Sequence, residues 1–342
     1  MKFFILATLF GLSLAICSHK DCTSCASDSS CFWDNGAGEC KWVLFQVLSA
    51  RENIILQPLS CPASLPAFQY TDDFGRNTVF PFAMASNVDG VENVATCLTG
   101  NTKNAQVLKQ YTVPCDMLGS NCSATLFYHP DANAVVLAFR GSKGTAQFVI
   151  EALDLLFKSS QTAPLYNGNV FKYFSNSIQL LWAAGLGNDL SAQIQSHPNS
   201  QLWVFGHSLG GALSTLAANA AVRSGIIAKD RVIVSTMGEP RTGDYTFASE
   251  VTENLPQAYR IVHYKDIVPK MALKVALSQT NAYHNNFEVW YNNDMSGPNF
   301  AVNDRADDGS GSNVDIIGDL DSHLNYFNTD MNSYGPGPCT QS

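Results

Sequence analysis

Residues 201–222 read QLWVFGHSLGGALSTLAANAAV and carry no formally charged side chain. Glycines at 206, 210 and 211 surround Ser208 inside that apolar run. Within a packed strand or helix, glycine costs chain entropy and contributes no side-chain contact. The glycines are useful only where an apolar strand turns sharply into a helix and the two elements nearly touch. The residues two before and two after the turn must then be small, which accounts for Gly206 and Gly210. The spacing therefore predicts a strand over 201–205, a turn centred on Ser208, and a helix over 209–225 that Gly225 stops. The same glycine and serine positions break any membrane span the apolar run might suggest.

Gly-x-Ser-x-Gly between strand and helix is the nucleophile elbow. The turn holds the Ser208 hydroxyl out at the carboxyl end of a sheet, where α/β folds place ligands. The Leu209 N–H, at the start of the helix, then points toward a developing oxyanion. A serine hydroxyl is a weak nucleophile alone and needs a histidine base, which needs an acid to set its tautomer. In this setting the acid follows the serine and the histidine follows the acid. His263, His284 and His323 all follow Ser208. Asp266 directly follows an apolar run and can reach the same sheet edge; Asp244, Asp319 and Asp321 are alternatives. His207 adjoins Ser208, so its side chain must diverge, and it is read as structural.

The rest of the chain is consistent with one large α/β domain. AVVLAFRGS (134–142), RVIVSTMG (231–238) and AYRIVHY (258–264) read as buried strands. VFKYFSNSIQLLWAAGLGNDLSAQIQSH (170–197) has helical periodicity and is stopped by Pro198. Strands alternating with helices predict a mostly parallel central sheet flanked by helices. Hydrophobic residues make up 46% of the 342 and charged residues 14%, enough apolar material for a sizeable core. A net charge of -9 without any lysine or arginine run argues against nucleic acid and against docking on anionic membranes.

The start, MKFFILATLFGLSLAICSHKDC, has one lysine, an apolar run and then small residues. It reads as a secretory signal peptide over 1–17, cut near Cys17/Ser18, and leaves no transmembrane segment in the mature chain. Nine cysteines would remain, an odd number that leaves a thiol free or paired with another molecule. A secreted chain of this kind is disulfide-bonded. Residues 18–42 hold four of the cysteines among Gly, Ser and Asp, too little apolar matter for a core, and three connectivities are open. Zinc is disfavoured there because no second Cys-x-x-Cys follows. Cys31-Phe32-Trp33 gives the segment a weak resemblance to a plexin-semaphorin-integrin module, although Asp34 stands where that family has a cysteine. Asn121-Cys122-Ser123 is an N-glycosylation sequon, with Asn121 as the acceptor. Cys115 and Cys122 are close enough for a local bridge.

Six segments in order carry a more specific resemblance. LAFRGS (137–142), FGHSLGGALSTLAA (205–218), TMGEPRTGD (236–244), YRIVHYKDIVPKM (259–271), YHNNFEVWY (283–291) and SHLNYF (322–327) resemble the class 3 lipases across about 60–342. The resemblance implies an α/β-hydrolase fold and a triad of Ser208, Asp266 and His323. It implies an oxyanion hole built from Ser142 and Leu209, and a bridge between Cys61 and Cys339 that ties the two ends of the domain. It further implies a secreted serine esterase acting on triacylglycerol at an oil–water interface, with no metal or organic cofactor. A phospholipase A1-type enzyme, a small-ester carboxylesterase and a non-catalytic binding protein are the alternatives. The family's lid corresponds to 143–160, where Val149, Leu153, Leu156 and Phe157 share one helical face, and a fixed core helix is the competing reading. Arg140 is read as a structural ion-pair residue. Oligomeric state is not legible.

Overall fold

A computed structural model of the chain describes residues 17–43, 53–115, 121–141, 157, 159–272, 281–307, 309–314, 317–331 and 339. Ser142 and all of the expected lid except Phe157 and residues 159–160 lie outside the described residues. The chain divides into two units, Met1–Cys61 and Pro62–Ser342. In the first, strand Cys31–Asp34 pairs antiparallel with both Glu39–Trp42 and Ile54–Ile55. Its buried apolar cluster is small, with Ala26, Ile55 and Cys61 at its centre. Covalent links replace the missing core: Cys17–Cys31, Cys22–Cys61 and Cys25–Cys40.

In the second unit, eight strands form one sheet. They are β1 (Gln106–Pro114), β2 (Asn121–His129), β3 (Ala134–Phe139), β4 (Gln201–His207), β5 (Val232–Met237), β6 (Ala258–His263), β7 (Phe287–Tyr291) and β8 (Ala301–Asn303). They lie side by side in chain order. Strands β3 to β7 are parallel, while β1, β2 and β8 run antiparallel to their neighbours. The helices used below are α1 (Phe80–Ala85), α2 (Lys172–Ala183), α3 (Leu186–Ser196), α4 (Leu209–Arg223), α5 (Tyr245–Asn254) and α6 (Asp321–Leu324).

The parallel strands read as unbroken apolar runs because both of their faces are covered. Val135, Leu137 and Phe139 of β3 face a core shared with Phe174, Ile178, Leu190, Leu213 and Phe247 of α2 to α5. Ala134, Val136 and Ala138, one residue out of phase, face the opposite core with Phe80, Phe82, Phe205 and Tyr259. The alternation is the period-two geometry of a strand, with oil on each side.

Three expectations are corrected. The helical pattern over 170–197 splits. Tyr166–Phe171 is a strand, and α2 and α3 are separate helices broken where Gly185 adopts φ 103°. Cys61 and Cys339 do not pair; Cys61 joins Cys22, and Cys339 joins Cys97. Spacing along the chain cannot show that Cys97, and not Cys61, lies beside the terminal segment. Finally, no cysteine is free, because Cys17 joins Cys31. A cut after Cys17 would strand Cys31, so the odd thiol vanishes once Cys17 is retained. Cys115 and Cys122 do form a local bridge. Asn121 opens β2 and is exposed, beside that bridge.

Two outcomes follow from these bridges. Protein denatured without reductant should take up no iodoacetamide, and sequencing of the mature chain should recover Cys17; an adduct on Cys31 would refute the pairing. The Cys97–Cys339 bridge spans 242 residues and Cys115–Cys122 spans 7. The chain-entropy account assigns them about 5.5 and about 2.4 kcal/mol. Removing the long bridge with paired Cys→Ser changes should therefore lower Tm more than removing the short one, as read by thermal unfolding.

Candidate active site

Strand β4 ends at His207 and α4 begins at Leu209, so the whole reversal falls on Ser208. Ser208 adopts φ 56°, ψ -125°, a region that costs a non-glycine residue about 1–3 kcal/mol. Close contacts hold it there. A Cβ on Gly206 would lie 2.3 Å from the Gly210 carbonyl oxygen, and one on Gly210 would lie 2.3 Å from the Phe139 carbonyl oxygen. The first contact is the strand-to-helix approach expected from the spacing. The second shows that α4 also abuts the end of β3. The Ser208 N–H donates to the Met237 carbonyl at 2.9 Å, which ties the turn to β5. Gly141, the residue before Ser142, packs against the His207 carbonyl; a Cβ there would lie 2.9 Å from it. The Leu209 N–H, at the first helical position, has no carbonyl a turn earlier in the helix to bond.

Asp266 follows β6 and is fully buried. His323 lies in α6, also fully buried, and its Nδ1 donates to both Asp266 carboxylate oxygens at 3.0 Å. Backbone pairing brings the two together: the Ile267 N–H donates to the Asp319 carbonyl at 3.1 Å, and the Asp319 N–H to the Lys265 carbonyl at 2.9 Å. The carboxylate also accepts from the Tyr326 hydroxyl at 2.6 Å and the Val268 N–H at 2.9 Å. Burial alone would raise the Asp266 pKa. The His323 imidazole and the hydrogen bonds from His323, Tyr326 and Val268 outweigh it and hold the carboxyl below its ordinary value.

With Nδ1 committed to Asp266, His323 Nε2 is the acceptor. Both Nε2 and the Ser208 hydroxyl oxygen are buried and make no hydrogen bond among the described residues. His323 is placed against the elbow through Gly238, directly after Met237. Gly238 has φ +58°, and a Cβ there would lie 2.7 Å from Asp266 Oδ2 and 2.8 Å from His323 Nδ1. Only glycine leaves room for the pair.

The other candidates are occupied elsewhere. His284 Nε2 donates to the Pro269 carbonyl at 2.7 Å, and burial first, then Arg260 and Arg241, push its pKa far down. His263 Nδ1 donates to the Ser322 carbonyl at 3.0 Å. Asp244 caps α5 by accepting from the Phe247 N–H, and Asp319 accepts from the Ser322 N–H at the start of α6. Asp321 is the exposed first residue of α6. His207 Nε2 donates to the His323 carbonyl at 2.9 Å. Burial, and then the neighbouring His323, push His207 down to about 3, so it stays neutral. Arg140 pairs with Asp89 and donates to the Asn121 carbonyl. Phe157 rests on Phe171 and Phe174, with ring centres at 4.8 and 6.2 Å.

Sequence reasoning missed Tyr326, Gly238 and Glu239. A tyrosine three residues after His323, inside an apolar motif, needs a partner for its hydroxyl, and that was the available signal. Glu239 is buried and accepts from Thr236, Thr215 and Thr242, at 2.6, 2.8 and 3.3 Å, which ties the end of β5 to α4. Burial raises its pKa. Potential metal-ligand groups among the described residues, Cys17/Cys31/Cys40 and His19/Asp28/Cys31, include no Ser208-site residue. Their cysteines are all in disulfides and cannot ligate as thiolates.

Tyr326→Phe removes one donor from a buried carboxylate, which raises its pKa. The acidic limb of the pH–rate profile should move to higher pH and kcat should fall roughly 10-fold. An unchanged profile across the acidic limb would refute a role for the hydroxyl.

Residues 136–276 match the family described as lipase (class 3). A lipase of Caenorhabditis elegans is 28% identical over 306 residues, covering 80% of this chain and 84% of that protein. Secreted mono- and diacylglycerol lipase A of Penicillium cyclopium is 29% identical over 258 residues, covering 71% and 78%. The solved triacylglyceride lipase of Rhizomucor miehei superposes with TM-score 0.64 at 23% identity, covering 80% of this chain and 98% of that one. The superposition establishes the α/β-hydrolase fold. Among the described residues no helix is long and apolar enough to cross a membrane. An elbow serine at a sheet end, a carboxylate-bound histidine and these relatives lead to one conclusion: the chain resembles the class 3 lipases, most directly over residues 136–276, and is a lipase-like carboxylic ester hydrolase.

Proposed function

We propose that the protein is a secreted triacylglycerol lipase that works through an acyl-enzyme on Ser208. The observation carrying this reading is the Asp266–His323 pair, with His323 Nε2 and the Ser208 hydroxyl both buried and unpaired beside the first turn of α4. Ser208 attacks the ester carbonyl while His323 Nε2 takes its proton. The negative oxygen that forms is met by the Leu209 N–H, with Ser142 as the second donor. Asp266 keeps the Nδ1 proton in place and stabilises the imidazolium. His323 then protonates the leaving alcohol, the acyl chain stays on Ser208, and water activated by the same histidine releases the fatty acid.

The apolar leader, the paired cysteines and the relative with "secreted" in its name support an extracellular setting. That relative's name also makes partial glycerides a substrate class to compare.

The test is a hydrolysis panel of tributyrin, triolein, diolein, phosphatidylcholine and a soluble nitrophenyl ester, with rate followed through the tributyrin solubility limit. Triacylglycerol should be hydrolysed fastest, with a steep rise once it forms a separate phase. Preference for phosphatidylcholine or for the soluble ester would overturn the substrate assignment. Ser208→Ala and His323→Ala should each lower kcat by roughly 10⁴-fold or more, while His284→Ala leaves most of it. Activity surviving in His323→Ala would overturn the triad.

A further inference from the structure

The histidine assigned as base sits on a helix that cannot hold itself. Helix α6 has only four residues, and one turn of helix is unstable in isolation. A helix this short leaves its carbonyls without partners along its own axis. Two of those carbonyls, at Ser322 and His323, are consecutive, and each receives a hydrogen bond from a different histidine ring. His207 Nε2 reaches the His323 carbonyl at 2.9 Å, and His263 Nδ1 reaches the Ser322 carbonyl at 3.0 Å.

The two donors stand at equivalent places. His207 is the last residue of β4 and His263 the last of β6, both parallel strands of the central sheet. Each ring is mostly buried. A carbonyl oxygen only accepts, so the proton must be on Nε2 of His207 and on Nδ1 of His263. The rings also enclose the side chains of the segment. His207 lies 4.4 Å from the His323 ring centre, and the Tyr326 ring touches both His207 and His263, at 5.6 and 5.7 Å. The backbone of the base and the tyrosine that supports Asp266 are thus held by the same two residues.

We propose that His207 and His263 form a two-histidine clamp that positions His323 for proton transfer. The proposal rests on the triad reading above. Both are positioning residues: neither takes or gives a proton in the proposed reaction, and each holds a backbone carbonyl of the segment that carries the base. The sheet is the rigid reference, and the clamp transfers its geometry to a segment that would otherwise move.

The two donors use different ring nitrogens, which gives the idea a sharp test. A glutamine amide nitrogen reaches the place of Nε2, and an asparagine amide nitrogen reaches the place of Nδ1. His207→Gln and His263→Asn should therefore keep kcat close to that of the wild type. His207→Asn and His263→Gln should lose about 10- to 100-fold in kcat on a soluble nitrophenyl ester, since misplacing a catalytic group by about 1 Å costs on that order. KM should stay nearly constant, and labelling of Ser208 by a fluorophosphonate should slow in parallel with kcat. Equal losses for Asn and Gln at each position, or no loss in any variant, would show that the histidines only fill space and would overturn the clamp. His323→Ala, run alongside, separates the two readings. If it retains activity, the triad fails; if it is dead while the crossed pattern is absent, the clamp alone fails. Should a variant not fold, the wild-type protein supplies the answer through the ¹⁵N shifts of its imidazoles. Protons found on Nδ1 of His207 or on Nε2 of His263 would overturn the proposal.

Discussion

The site depends on a contact made without side chains. Where β4 becomes α4, the Gly206 α-carbon faces the Gly210 carbonyl, and the Gly210 α-carbon faces the Phe139 carbonyl. A methyl group at either place would overlap backbone, which cannot step aside as a flexible side chain can. Three backbones meet there: the strand that brings the serine in, the helix that leads away, and the neighbouring strand β3. Their closeness forces Ser208 into a strained conformation and aims the start of the helix at the same spot. The proposed nucleophile and one proposed oxyanion donor are therefore products of a single packing event.

The proposed acid and base obey a different constraint, the cost of burying charge. Asp266 is fully enclosed, so each of its lone pairs needs a donor. His323, Tyr326 and Val268 supply them. Around this centre the chain keeps further buried polar groups satisfied. Arg241 forks onto Asp307 at 2.9 and 3.0 Å and also donates to the Pro269 carbonyl, which His284 holds as well. The turn after Asp266 is thereby tied to the segment TMGEPRTGD, and Glu239 of the same segment is tied to α4. Conformational precision at the acid comes from hydrogen bonds that would be expensive to leave unmade.

What was legible in the sequence followed from local rules. The glycine spacing around Ser208 exposes the elbow because backbone proximity excludes every larger residue. The apolar runs at 134–139 and 232–237 expose buried strands because both faces are covered. The break between α2 and α3 was hidden by an apolar periodicity that continues through Gly185. Long-range pairings were hidden more deeply. Nothing along the chain says that Cys97, instead of Cys61, waits beside residue 339, or that Tyr326 faces Asp266. Likewise His207 could be read as structural from its place beside Ser208, while its partner, 116 residues away, could not. Identity of a chemical group is local; the choice of its partner belongs to the fold.

The bridge between Cys97 and Cys339 bears on the order in which the protein is made. A ribosome adds about 5–20 residues per second. The 242 residues separating the two cysteines therefore impose a delay of roughly 10–50 s at that rate, during which Cys97 has no native partner. Cys115 and Cys122, seven apart, emerge together in that interval. The proposed base at residue 323 also arrives near the end of this interval. An emerging chain can thus display its serine long before it acquires the histidine proposed to activate it. With the proposed triad, the ester-cleaving machinery stays silent on the nascent polypeptide, and its completion coincides with the sealing of the longest covalent loop.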